Sequence, residues 1–181
     1  MKEGEIAQGL DPNEDHLSAI LIWRREYDRA IALQLRLAEI HPGEGLIHYG
    51  LYWAYLSYGE KKEAIQELEK ACALFGWSEL AANMHRAFAA SGYRGALREW
   101  VKHWEHLQAT NQGFAPEVLA ATYVALGDND RAFYWLEQAY THRENVSHDW
   151  GLNILKVDPL LAPLHSDPRF ADLLRRIGLP P

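Results

Sequence analysis

Apolar residues recur at helical spacing along most of this chain, and the runs are broken at regular intervals by glycine, proline or short polar turns. His16 to Trp23 and Tyr27 to Ile40 read as a first pair of helices. Leu51 to Tyr58 and Glu60 to Leu74 read as a second pair, joined at Gly59. Leu80 to Ala90 leads through Ser91-Gly92-Tyr93-Arg94-Gly95 into a helix carrying Leu97, Trp100, Val101, Trp104 and Leu107. After the loop Thr110 to Phe114, Ala115-Pro116-Glu117 opens a helix that ends at Leu126, and Asp128 to Tyr140 forms its partner. The predicted fold class is all-α.

Within each pair, small residues sit where two helix axes approach and bulky ones sit beside them, the size pattern that closely packed helices require. Ala64, Leu68 and Ala71 follow this rule at i, i+4 and i+7, facing Leu51 and Tyr55. Lys61, Lys62, Glu63, Glu67, Glu69 and Lys70 are left for a charged, solvated face. Gly127 can adopt the left-handed conformation that ends a helix, and Asp128 can cap the next one. Arg25 stands where the first pair should have its glycine. Ala96 comes four residues after Gly92, whereas Ala64 and Ala132 come five after Gly59 and Gly127, so the third turn should alter the local crossing. The markers Ala30, Ala64, Ala96 and Ala132 are separated by 34, 32 and 36 residues.

That quasi-period and the Leu119 to Tyr140 stretch resemble the tetratricopeptide repeat (TPR), a two-helix unit of about 34 residues. The resemblance implies an α-solenoid of about four TPR-like helix-turn-helix repeats in a right-handed superhelix. Residues 13–145 would form the repeats, 1–12 an N-terminal segment and 146–181 a helical cap. Asp11-Pro12-Asn13 admits two readings: the close of a preceding repeat in a longer protein, or the start of the first helix. At the other end, Trp150 to Val157 is expected to be helical and to stop at Asp158-Pro159. Ser166-Asp167-Pro168 then opens a helix with Phe170, Leu173, Leu174 and Ile177 on one face and Gly178 after it. This tail, with Trp135 to Tyr140 and Leu155 to Pro159, resembles the C-terminus of repeat arrays in bacterial multidomain regulators. Such arrays follow winged-helix, Ser/Thr kinase or adenylate cyclase domains, which implies a sensory or scaffolding appendage.

Composition narrows the classes. The 181 residues are 48% hydrophobic and 24% charged, with a net charge of -7. That balance disfavours a nucleic-acid surface, which needs clustered Lys and Arg. Arg24-Arg25 and Arg175-Arg176 read as solvated helix ends beside a local basic-patch alternative. A lone cysteine, Cys72, allows no internal disulfide and reads as a small buried side chain, in keeping with a reducing compartment. No window approaches the roughly 18 apolar residues of a membrane span, and the first residues lack a signal-peptide run. A cytoplasmic location is expected.

Candidate chemistry is sparse. His103 and His106 can share a helix face, with His85 on a neighbouring helix, but the spacing supplies no third metal ligand. The histidines at 142 and 148, next to Glu144 and Asp149, read as cap or surface residues. No GxSxG, HExxH or Gly-rich phosphate loop occurs, so no catalysis, metal or cofactor is expected. In TPR proteins the first helix of each unit lines a concave groove. Carried over residue by residue, the groove positions fall on Trp23, Tyr49, Trp53, Asn83, Arg86, Phe114 and Glu117. Aromatics and arginine dominate interface energetics, although Trp23 and Tyr49 could equally pack between repeats. Glu79 and Ala82 stand where a clamp for chaperone C-termini would need basic residues. The expected function is a non-catalytic protein-interaction module holding a partner peptide or helix. A ligand-sensing domain of a larger bacterial regulator is the alternative, and self-association through the irregular first repeat is a third reading.

Overall fold

The structure, a computed structural model, describes the backbone of residues 12–113, 115–142 and 152–180, with side chains from residue 17 onward. It contains helices α1 (Pro12–Trp23), α2 (Tyr27–Ile40), α3 (Gly45–Tyr58), α4 (Lys61–Leu74) and α5 (Ser78–Ala109). These are followed by α6 (Pro116–Leu126), α7 (Asn129–Thr141) and α8 (Pro168–Arg176), with short 3-10 segments Leu152–Ile154 and Pro159–Leu164. The described residues contain no β-strand. The chain is all-helical there, as the periodicity requires.

Four helix boundaries are closed by one device. The N–H of the residue after the turn reaches back five positions: Glu26 to the Leu21 carbonyl, Glu60 to Tyr55, Trp77 to Cys72 and Asp128 to Tyr123, at 2.8–2.9 Å. The same bond closes the loop after α5 (Gln112 to Leu107) and the end of α8 (Leu179 to Leu174). Each satisfies a carbonyl that the helix end leaves without a partner. The motif needs a left-handed residue, supplied by Gly59, Gly76, Gly127 and Gly178 but also by Arg25 (φ 62°) and Asn111 (φ 55°). Asparagine tolerates this region; an arginine there is strained.

The marker alanines explain the pairing. Ala30, Ala64, Ala96 and Ala132 all have no exposed surface. Four and seven residues on from each, the positions are Gln34 and Leu37, Leu68 and Ala71, Trp100 and His103, and Leu136 and Ala139. Of these, all but His103 are buried. The chain divides into two compact units, Met1–His85 and Arg86–Pro181. In the first, α1 packs on α2 and α3, α2 on α3, and α3 on α4. With neighbours on several sides, α3 is apolar nearly all round and exposes large apolar side chains only near its ends, at Leu46 and Tyr58. Two glycines let the helices come close. A Cβ on Gly50 would lie 2.6 Å from the Gln34 amide, and one on Gly45 would lie 2.7 Å from the Phe75 ring.

In the second unit α6 packs on α7, and the segment Pro159–Leu164 packs on α6. The cap of α7 is as expected: Asp128 accepts from the Arg131 backbone N–H at 3.0 Å. Asp167 likewise caps α8 through Arg169 N–H at 2.9 Å, and Phe170, Leu173 and Leu174 are buried. Gly92 breaks α5 with φ 64° and ψ -161°, a conformation open to glycine and not to L side chains. The shortened third turn is therefore a sharp interruption within one long helical run.

Three expectations change. Pro12 is the first residue of α1, so Pro12 and Asn13 belong to a helix; Asp11 and the rest of the N-terminal segment lie outside the described residues. The helix expected over Trp150 to Val157 is, in its described part, a 3-10 segment at Leu152–Ile154 followed by a turn. Asp158 precedes a proline and is kept out of the helical region, which ends the segment there. Trp150, with Glu144, His148 and Asp149, lies outside the described residues. The third change concerns Glu67, which is buried, not on the solvated face of α4.

Candidate functional site

The central helix α3 presents the most concentrated aromatic surface of the first unit. Tyr49 and Trp53, one turn apart, meet edge to face with ring centroids 5.9 Å apart. Tyr52 stacks on Tyr49 at 5.8 Å, and Phe75 meets Tyr49 at 6.5 Å and Trp77 at 5.4 Å. Tyr49 and Trp53 are half-buried. Burial pushes the Tyr49 phenol up, opposed by a hydrogen bond from the Trp53 side chain. The two rings thus form one edge-to-face pair that is partly exposed. Trp53 also packs against the cluster of Leu21, Ile22, Ala30 and Ala54, so part of its surface belongs to the core.

The other expected groove positions are distributed as follows. Trp23 is the half-buried last residue of α1. Asn83 is half-buried and Arg86 exposed, three residues apart on the part of α5 before Gly92. Phe114 lies outside the described residues. Glu117, in the second unit, is half-buried in the first turn of α6. Its Oε1 is buried without a hydrogen-bond partner, and desolvation raises the carboxyl to about 7, with its own backbone N–H pulling the other way. Burial at this position disfavours the charged form of the carboxyl.

The sequence reading missed a polar cluster in the seam between α3 and α4. His48 Nδ1 lies 2.6 Å from Glu67 Oε2, and Lys70 Nζ donates to Glu67 Oε1 at 2.7 Å. Both His48 and Glu67 are nearly covered, with side-chain exposures of 13% and 11%. Burial of a carboxylate is tolerated because both oxygens are engaged. The same carboxylate acts on Tyr55, whose phenol is pushed up first by burial and then by the charges of Glu67 and Glu63. A signal existed: Ala64, Glu67, Leu68 and Ala71 form a continuous i, i+3, i+4, i+7 stripe, which places Glu67 beside the buried face.

In the second unit, the Tyr123 hydroxyl donates to Glu105 Oε1 at 2.7 Å and accepts from Arg131 Nη1 at 2.6 Å. The Arg131 guanidinium lies 5.3 Å from the Tyr123 ring centroid. This network ties α5, α6 and α7 together and presents no nucleophile to solvent. His103 is half-buried, stacks on Trp100 at 6.3 Å, and is lowered by burial and then by neighbouring His106. His85 pairs with Glu69 at 3.2 Å. Among the described residues no group of three or more His, Cys, Asp or Glu is arranged to hold a metal ion. Cys72 is buried and its thiol is pushed up to about 12, which keeps it protonated and unreactive. Among the described residues no helix is long and apolar enough to cross a membrane.

No protein-family model matches the chain, and no curated protein or solved structure matches it either.

Proposed function

We propose that the chain is a TPR-like interaction module, in which the first helix of a hairpin holds an extended segment or a helix of a partner protein. The observation that supports this reading is the Tyr49–Trp53 pair on α3: two large aromatics, in edge-to-face contact and half-buried on a helix packed between its neighbours. Rigid aromatics with a wet edge bury area against a partner at little entropic cost, and they are the side chains that most often anchor interfaces. The recurrence of one hairpin design, with a fully buried alanine five residues after a left-handed glycine at both Gly59 and Gly127, supports a repeat scaffold. Asn83 adds an amide able to bond a partner backbone.

A photo-reactive amino acid placed at Asn83 tests the reading, with the exposed α4 position Gln66 as control. Irradiation in an extract of the source is expected to give a discrete adduct from position 83 and none from 66, and the adduct is expected to weaken in Tyr49→Ala. Equal labelling at both positions, or none at either, would count against a first-helix binding surface.

A further inference from the structure

Three rows of side chains in the second unit repeat at the same interval. On α7, Asp130 and Glu137 are seven residues apart, as are Phe133 and Tyr140; on α8, Arg169 and Arg176 are seven apart. Seven residues bring a helix back to nearly the same face. The Arg169 guanidinium lies 4.2 Å from the Phe133 ring centroid and donates to Asp130 Oδ1 at 2.8 Å. The Arg176 guanidinium lies 4.8 Å from the Tyr140 centroid and donates to both oxygens of Glu137, with Nη1 at 3.0 Å from Oε2. Lower numbers meet lower numbers, so α8 runs parallel to α7, and a slip of one turn would leave an arginine without its ring and carboxylate.

Each arginine is also held from its own side. Asp167 takes Arg169 Nη2 at 2.8 Å and Nε at 3.0 Å, and Asp172 takes Arg176 Nε at 3.0 Å. The planar guanidinium is thereby oriented before it reaches α7. A helix of nine residues does not persist alone in water, whereas α6 and α7 pack directly on each other, with Ala120, Ala132, Leu136 and Ala139 buried.

We propose that α8 is a register-locked strap, an intramolecular ligand that leaves and returns as a unit while the α6–α7 hairpin stays folded. The buried Phe170, Leu173 and Leu174 anchor the strap, and the pair of arginine clamps locks its register. Both arginines remain partly exposed, with side-chain exposures of 48% and 35%, so salt reaches and weakens the lock.

Hydrogen–deuterium exchange on the full chain tests this. In Arg169→Gln/Arg176→Gln, amides of residues 172–179 are expected to exchange about tenfold faster or more, with those of α6 and α7 changed less than twofold. High salt should speed the same amides in the unmodified chain and act much less on the variant. Asp130→Arg should release α8, and adding Arg169→Asp should recover most of the lost protection. Unchanged exchange in α8, acceleration of α6 and α7 in step with it, or failure of the exchanged pair to recover protection would each overturn the proposal.

Discussion

The hairpins α1–α2 and α3–α4 turn through the same backbone path with different residues at the critical place. In both, the N–H of the residue after the left-handed one bonds a carbonyl five positions back at 2.9 Å, Glu26 to Leu21 and Glu60 to Tyr55. Glycine takes the left-handed step in one (Gly59, φ 100°) and arginine in the other (Arg25, φ 62°). The next layer differs too. Leu68 fills the position four after the marker alanine in the second hairpin, while Gln34 fills it in the first and lies over Gly50. The packing of the helices dictates the turn; the residue type only sets its cost. A hairpin with the wrong residue at the turn still forms when its alanine row, Ala30 with Ala54 and Ile22, is buried.

The comparison can be pressed at three depths. Leu68→Ala should cost about 2–5 kcal/mol, because it opens a cavity at a fully buried site. Leu136→Ala, the equivalent change in α7, should cost a similar amount in urea unfolding followed by tryptophan fluorescence. A loss confined to one of the two would break the equivalence of the hairpins. Gly59→Ala should cost about 1–2 kcal/mol, since a Cβ strains the left-handed turn although open space surrounds it. The smallest effect is expected from Arg25→Gly, a gain of about 0.5–1 kcal/mol as strain is relieved. A loss there would mean that the arginine side chain contributes more than its backbone costs; in the same turn Arg24 and Arg29 both pair with Glu26.

Much of the fold was legible because its signals are short-range. The alanine rows, the glycine turns and the Phe170-Leu173-Leu174 face of α8 each follow from residues within two turns of one another; the structure buries the alanines and the α8 face and gives the turn glycines their left-handed φ. What escaped depends on partners far away in sequence. Glu67 reads as solvated in isolation, but His48, nineteen residues earlier on another helix, engages one of its oxygens while Lys70 engages the other. Glu117 sits in a helix's first turn, where the dipole favours a charged carboxylate; desolvation by the surrounding fold raises it instead. Of the expected groove residues, Tyr49 and Trp53 are brought into contact, and Asn83 and Arg86 share one stretch of α5. Trp53 shows why aromatic signals are ambiguous: one ring serves both the core cluster and the exposed edge.

The most direct test of the account is the dissociation constant for the partner segment identified by crosslinking, measured by calorimetry for the unmodified chain, Tyr49→Ala, Asn83→Ala and the α4 control Gln66→Ala. The account predicts about tenfold or greater weakening for the α3 and α5 substitutions, with the fold intact by circular dichroism, and no change for the control. Equal affinities across all four proteins would contradict it.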